Sequence, residues 1–207
     1  MNILLREIAD YYSKKIVEHG LTHHGVDWNS HESQYLRFEQ LTKVINSDET
    51  FSINDLGCGY GALFDYLLMR YEDFKYYGCD ISDDMIKAAN IRNTKYSNAH
   101  FNLSAELAET ADYSVASGIF NVRLSFSNDK WNEYLETTLN LLNSRSRKGF
   151  SFNCLTIYSD TDKMHDYLYY ANPCVIFDFC KRNYSRDVAL LHDYGLYEFT
   201  IIVRKHQ

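Results

Sequence analysis

Apolar and polar positions divide the chain into two regions with different periodicities. Up to residue 50, apolar side chains recur about every four residues, as at Ile8, Tyr12 and Ile16. This spacing is typical of helices that bury one face. Beyond residue 50, short apolar runs alternate with helical patterns, which indicates βαβ units and a mostly parallel sheet. The pattern therefore predicts an N-terminal helical cap followed by an α/β core.

Seven runs in the core have the length and composition of strands. They are Phe51–Leu56, Lys75–Cys79, His100–Leu103, Tyr113–Ser117, Phe150–Leu155, Val188–His192 and Glu198–Arg204. The last two are joined by residues 193–197, in which Asp193, Tyr194 and Gly195 supply turn chemistry. This loop is too short for anything but an antiparallel pair. The predicted fold is a Rossmann-like, doubly wound sheet of seven strands whose last strand is antiparallel.

The composition predicts one domain and argues against several classes of protein. With one proline and nine glycines among 207 residues, there is no Pro/Gly-rich linker. We therefore expect a single domain over residues 1–207, with a cap at 1–50 and a core at 51–205. No basic leader and no apolar run of membrane-spanning length is present, so we expect a soluble, cytoplasmic protein.

Charge and cysteine content narrow the choice of partners further. The formal net charge is −7, and the densest basic stretch, Arg145–Lys148, is short. Because binding to a nucleic-acid backbone depends on phosphate neutralisation, an RNA or DNA partner is disfavoured. The five cysteines form no CxxC pair, which disfavours a disulfide framework or a zinc site. We expect no metal, and the oligomeric state stays open.

A glycine-rich turn carries the strongest indication of chemistry. Gly57, Gly59 and Gly61 alternate directly after the first predicted strand and directly before a helix. Glycine allows tight turns and close approach of the backbone to a ligand. Ligands of such sheets bind beyond the carboxyl ends of the strands. The turn is therefore a candidate ligand site, and a tight turn without a ligand is the simpler alternative.

An acidic residue follows at the distance that a ribose contact requires. Asp80 ends the second predicted strand, 19 residues after Gly61, and an acidic residue near this spacing can accept hydrogen bonds from ribose hydroxyls. A nicotinamide dehydrogenase usually carries G-x-G-x-x-G, which places a pyrophosphate on the helix N-terminus. Here the spacing is G-x-G-x-G, and no lysine of a phosphate-binding P-loop follows.

At these residues the sequence resembles the class I S-adenosylmethionine-dependent methyltransferases. The resemblance covers Phe51 to Lys205, and the match to the family's first motif is Asp55 to Gly61. It implies that the cofactor is S-adenosyl-L-methionine (SAM) and that S-adenosyl-L-homocysteine (SAH) is the product. The turn residues that we expect at the cofactor are Asp55, Gly57, Cys58, Gly59 and Gly61.

The resemblance implies further cofactor contacts at the ends of the following strands. Asp80 would bind the ribose hydroxyls, and Ile81 would contact adenine. Ser104–Ala105, after the third strand, would border the adenine ring; Ser104 stands where many members carry an aspartate. Ser117–Gly118, after the fourth strand, would lie beside the methionine part of the cofactor. The terminal hairpin agrees with the family's seven-stranded sheet.

The N-terminal cap contains a second candidate contact. The segment from Gly25 to Ser30 includes Trp28 and is followed by Gln34 and Arg37, and it could close over the cofactor. The guanidinium of Arg37 suits bidentate recognition of a carboxylate, so Arg37 is a candidate for the cofactor carboxylate. A structural salt bridge on a surface helix is the alternative.

The segment after the fifth strand is the best place for substrate contacts. It leaves the strand on the ligand side and is rich in aromatic residues up to Tyr170, so we expect a lid. Tyr158 and His165 are the candidate catalytic residues, because histidine is the usual general base near neutral pH. A lone lid histidine could equally be a surface residue, and His192 is a weaker candidate.

The absence of two motifs narrows the class of methyl acceptor. After the fourth strand, the Asn/Asp-Pro-Pro-aromatic motif of enzymes that methylate nucleobase or glutamine amides is absent, and so is a magnesium-type Asp/His cluster. The leading hypothesis is methyl transfer to oxygen or nitrogen of a small-molecule acceptor. A protein methyltransferase and a non-catalytic SAM-binding partner protein are the alternatives, and a dehydrogenase is disfavoured.

Overall fold

A computed structural model describes residues 3–26, 28, 30–46 and 49–205. The helices are α1 (Ile3–His19), α2 (His31–Thr42), α3 (Ala62–Leu68), α4 (Asp83–Arg92), α5 (Asn128–Ser144) and α6 (Pro173–Asn183). The strands are β1 (Phe51–Leu56), β2 (Phe74–Asp80), β3 (Ala99–Leu103), β4 (Ala111–Ala116), β5 (Ser146–Thr156), β6 (Tyr170–Ala171), β7 (Asp187–Leu191) and β8 (Glu198–Arg204). Among the described residues, no helix combines the length and the apolar character needed to cross a membrane.

The strands form one mixed sheet in the order β3-β2-β1-β4-β5-β8-β7. Neighbours from β3 to β5 are parallel, whereas β8 runs antiparallel to both β5 and β7. This confirms the predicted sheet with its antiparallel last strand. The structure adds β6, which pairs with the end of β5. Two residues are too few to show a strand periodicity in the sequence.

Both faces of the sheet are buried under helices, which confirms the doubly wound architecture. Ile53 on β1 belongs to a core cluster that also includes Leu63 of α3. Phe152 on β5 belongs to a second cluster that also includes Leu139 of α5. The long apolar stripe of α5 is buried throughout, with Trp131 fully inaccessible.

The cap consists of two helices that meet the core at different places. Ser30 caps α2, because its hydroxyl accepts from the N–H of Ser33 at 3.1 Å and its own N–H donates to the Ser33 hydroxyl at 3.2 Å. From there α2 packs on β5 and β8. The first helix packs on α4, and its residues Leu4 and Ile8 join Trp131 in a third cluster. Helix α1 therefore bridges α4 and α5.

Candidate active site

The glycine turn after β1 is held to the neighbouring strand β2 by its own backbone. The N–H groups of Gly57 and Cys58 both donate to the carbonyl of Cys79, at 2.8 and 3.0 Å. Gly57 has a φ of +77°, in the left-handed region that favours glycine. A Cβ at this position would stand 2.2 Å from Cγ2 of Ile119. The turn therefore requires glycine both for its backbone and for its contact with the segment after β4.

Asp80 connects this turn to the start of α4. One carboxylate oxygen accepts from the N–H of Gly59 and the other from the N–H of Ser82, each at 2.9 Å. Burial raises the pKa of Asp80, and the backbone hydrogen bonds oppose that rise. Asp80, which the sequence predicted as a ribose contact, is thus hydrogen-bonded to the glycine turn.

Asp55 lies at the other end of the same turn and is buried. Its carboxylate accepts a hydrogen bond from the hydroxyl of Tyr76. Burial raises the pKa of Asp55 to about 7; the hydrogen bond from Tyr76 opposes this rise, and the charge of Asp80 adds to it. The turn therefore lies between two carboxyl groups with unequal surroundings, the buried one of Asp55 and the partly buried one of Asp80.

A cavity of about 630 Å³ opens at this end of the sheet, within the range of roughly 300–1,000 Å³ that is usual for small-molecule sites. Most of the residues that the sequence predicted at a cofactor line this one cavity. They are Asp55, Gly57, Cys58, Gly59, Asp80, Ile81, Ser104, Ala105, Ser117 and Gly118. Their side chains and backbone come from the ends of four adjacent strands.

Gly61 is the member of the turn that the cavity does not include. It caps α3 with a φ of +88°. A Cβ there would lie 3.0 Å from Asn93 Nδ2 and 3.1 Å from the ring of Phe101. Gly61 thus faces packed side chains, and its place in the turn is explained by backbone shape and packing.

The two serines at the cavity differ in their hydrogen bonding. The Ser104 hydroxyl accepts from the N–H of Glu106 and donates to its carbonyl, both at 2.9 Å, so it shapes its own turn. The Ser117 hydroxyl is buried and has no hydrogen-bond partner among the described residues. A buried polar atom without a partner, at the wall of a cavity, fits a ligand that supplies the missing hydrogen bond.

Arg37 is engaged differently from the expected contact with a cofactor carboxylate. Its Nε and Nη2 donate to the two carboxylate oxygens of Glu198, each at 2.8 Å, and Nη1 donates to the Ser33 carbonyl at 2.8 Å. Its guanidinium lies 4.0 Å from the centre of the Trp28 ring. Trp28 lines the cavity and Arg37 does not. Arg37 therefore forms a structural salt bridge, which was the alternative to a cofactor contact. The bridge is buried and does not lie on the surface of the helix, as that alternative had it.

Asp27 and Asn29, on either side of Trp28, lie outside the described residues.

Comparison with known proteins places the chain in a family. A family profile described as a methyltransferase domain matches residues 54–147. The protein named "Putative methyltransferase Rv1506c", from Mycobacterium tuberculosis (strain ATCC 25618 / H37Rv), is 59% identical over 163 residues, which are 79% of this chain and 98% of that protein. The chain belongs to the class I SAM-dependent methyltransferase family.

Solved methyltransferase structures share the fold at low sequence identity. The N-methyltransferase NodS from Bradyrhizobium japonicum WM9, in complex with SAH, superposes with a TM-score of 0.67 at 13% identity, over 96% of this chain and 98% of NodS. The DhpI–SAH complex gives a TM-score of 0.66 at 12% identity, over 97% and 96%. At these identities the likeness concerns the fold alone.

The two residues predicted as catalytic lie outside the cavity of this methyltransferase. Tyr158 is 63% exposed and its ring lies 5.9 Å from that of His192. His165 is exposed and stacks on Tyr167, with ring centres 5.6 Å apart. The side chains turn away because the segment after β5 is drawn onto the segment after β4, where the N–H groups of residues 123 and 124 donate to the Tyr167 carbonyl. The geometry gives neither Tyr158 nor His165 a place at a reacting centre.

Two helices contribute to the cavity in a way that the sequence analysis missed. Helix α1 supplies a largely apolar wall, consisting of Leu4, Leu5, Ile8 and Tyr12. Helix α5 supplies a more polar one, consisting of Lys130, Glu133, Tyr134, Thr137, Thr138 and Leu141. The buried stripes of both helices were visible in the sequence, but periodicity does not distinguish a residue that faces a core from one that faces a cavity.

Proposed function

We propose that this methyltransferase transfers the methyl group of SAM to an oxygen or nitrogen atom of a small-molecule acceptor. The observation that carries the proposal is the cavity at the strand ends, which is lined by the glycine turn, Asp80 and Ser117, whose buried hydroxyl has no partner among the described residues. The solved complexes of similar fold with SAH support the choice of cofactor.

The residues present fit this cofactor in character and position. The backbone of Gly57 to Gly59 allows close approach of the amino-acid end. Each oxygen of Asp80 uses one lone pair within the protein and has acceptor capacity left for a ribose hydroxyl. Ile81 and Ala105 offer apolar contact for the adenine, and Ser117 offers a hydrogen bond at the end of β4.

When bound, SAM supplies a methyl group on a sulfonium sulfur, which is already electrophilic. The chain has to align the acceptor with that methyl group and exclude water. The apolar wall of α1, at Leu4, Leu5 and Ile8, serves the exclusion of water. Lys130 and Glu133 are the charged cavity residues of α5, and they are placed to orient a polar acceptor. A neutral amine or an acidic hydroxyl can react without a strong base.

The contact between the cap and the segment after β5, beside the cavity, favours a small-molecule acceptor over a protein acceptor. Helix α1 contributes one wall, and the Tyr11 ring on its outer side lies 6.5 Å from that of Tyr167 in the segment after β5. The cap and that segment therefore meet, which leaves less room for a folded partner. The same contacts support our inference that residues 1–50 and 51–205 act as one domain.

Calorimetry with SAM and SAH tests the cofactor assignment on the unsubstituted protein. We expect both to bind, and we expect SAH to be released when a panel of small hydroxyl and amine acceptors is offered, as measured by mass spectrometry. Absence of binding to a well-folded sample would sink the proposal. Turnover on proteins alone would favour a protein methyltransferase, and binding without turnover in a stable protein complex would favour a partner role.

A further inference from the structure

The buried ion pair between Arg37 and Glu198 joins the cap to the last strand. The two side chains are 8% and 1% exposed and meet through two parallel hydrogen bonds. A buried ion pair gains little stability over apolar packing, because both charges lose their hydration. The presence of the pair is therefore better explained by the parts of the structure that it holds in place than by a gain in stability.

Asn153 on β5 connects this pair to the turn after β4. Its Nδ2 donates to Oε2 of Glu198 at 2.8 Å, and its Oδ1 accepts from the N–H of Gly118 at 2.7 Å. One end of the amide meets a carboxylate and the other a backbone donor, so only one orientation of the amide satisfies both. The ion pair is thus continuous with Gly118, which has a φ of +77° and lines the cavity.

The Trp28 ring contacts both ends of this chain of hydrogen bonds, Arg37 and Gly118. Its ring lies on the guanidinium of Arg37 at 4.0 Å. A Cβ added to Gly118 would stand 2.6 Å from two carbons of the same ring, so the indole lies directly against that glycine. The cluster begins at Trp28 and ends at Gly118, and both ends form part of the same cavity wall.

We propose that Arg37, Glu198 and Asn153 are positioning residues that hold the Trp28 ring against the Gly118 turn and so set the shape of the methyl-donor site. None of the three lines the cavity, so they act through Trp28 and Gly118. The inference rests on the proposed function for its ligand. The position of Trp28 is a separate property that can be measured without any ligand.

The substitution Asn153→Leu separates positioning from charge, because it removes both hydrogen bonds at nearly constant volume. Ser151→Ala is its matched control: Ser151 lies two residues earlier on β5, is equally buried, and donates to the Leu41 carbonyl of α2 at 2.8 Å. The control also removes a buried link between β5 and the cap, but one that does not reach Trp28 or Gly118.

The experiment measures acrylamide quenching of Trp28 without ligand and SAH affinity by calorimetry. It uses a Trp131→Phe background that leaves Trp28 as the sole tryptophan, with excitation at the red edge of the tryptophan band so that the 18 tyrosines do not contribute. For Asn153→Leu we expect stronger quenching and an SAH affinity lowered about tenfold or more. Arg37→Lys keeps the charge and loses the bidentate hydrogen bonds to Glu198, so we expect smaller changes in quenching and SAH affinity in the same directions. Ser151→Ala should change neither readout.

Folded variants that quench and bind like the unsubstituted protein would overturn the proposal and leave the cluster a purely structural one. If Asn153→Leu does not fold, Arg37→Lys and Glu198→Gln carry the test with the same readouts. If the unsubstituted protein does not bind SAH, the proposed function fails. The quenching comparison then still decides whether the cluster positions Trp28.

Discussion

The carboxylate of Asp80 accepts a hydrogen bond from the backbone N–H of Gly59, at 2.9 Å. The glycine turn is thereby fixed to the residue that the sequence marked as a ribose contact, before any ligand is considered. The second oxygen of the same carboxylate holds the start of α4 through Ser82. A change at Asp80 will therefore affect both the shape of the turn and the binding of a ligand.

Asp80→Asn tests this double role. The amide presents an NH2 group to one of the two backbone donors, so one hydrogen bond is lost and two donors face each other. We expect the free energy of unfolding to fall by about 1–3 kcal/mol and SAM affinity to fall about tenfold or more. Chemical denaturation and calorimetry provide the two measurements. Asp83→Asn, which removes an exposed charge from the first residue of α4, should leave affinity unchanged; an equal loss in both variants would point to charge alone.

Gly57→Ala tests whether the turn needs glycine for its contact as well as its backbone. A matched control is Gly195→Ala, because Gly195 has a similar φ of +71° but no atom within 4 Å of an added Cβ. Both variants bear the cost of a left-handed alanine, about 1–2 kcal/mol. We expect only Gly57→Ala to lose SAM binding, since its Cβ displaces Ile119. Equal binding by both variants would contradict a role for this close approach.

Ser117→Ala removes the hydroxyl that lacks a partner in the protein. Losing a group without a hydrogen bond should leave the free energy of unfolding nearly unchanged, while SAM affinity falls severalfold. The control is Ser114→Ala, three residues earlier on β4, whose buried hydroxyl accepts from Asn54 at 3.2 Å. There we expect the reverse: about 1 kcal/mol lower stability with unchanged affinity. Unchanged affinity of Ser117→Ala would show that this hydroxyl does not meet the cofactor.

Asp55→Asn tests the buried carboxyl group through pH. Burial raises the pKa of Asp55 from 3.8 to about 7, so in this window the folded protein holds a proton that the unfolded chain has released. Stability therefore falls as pH rises from about 4 to 7. The asparagine variant lacks this dependence, so its stability relative to the unsubstituted protein should be higher at pH 8 than at pH 5. Urea denaturation at both pH values measures this, and an equal difference at both would contradict the assignment.

The parts of the site that the sequence predicted well are those that sheet topology determines. Residues at the carboxyl ends of adjacent parallel strands meet at one edge, so Asp55, Gly59, Asp80 and Ser117 could be grouped from their positions after predicted strands. The terminal hairpin could be predicted equally well, because the connection of five residues between the two predicted strands is too short for a parallel pair. The bounds of β8 agree with the prediction, Glu198–Arg204.

The parts that were missed depend on contacts between distant residues. The partner of Arg37 lies 161 positions away, and no local pattern marks Glu198 as its counterion. Tyr158 and His165 lie outside the cavity, which the sequence could not show, because the path of the chain after β5 depends on pairing with the segment after β4, as at Val122 and Leu168. Strand β5 begins earlier than expected, at Ser146. Ser146 pairs with Ala111 of β4, but the polar residues 147 and 148 that follow lie at a register irregularity, so no alternating pattern marks this start.

The bond between Arg37 and Glu198 also bears on how the chain is made. Arg37 is synthesised 161 residues before Glu198, which opens the last strand of the sheet. Until that strand has left the ribosome, the guanidinium has no carboxylate to meet, and α2 lacks one of the two strands on which it packs. Docking of α2 therefore waits until β8 has been synthesised, and only then does the ligand cavity gain a fixed Trp28 wall.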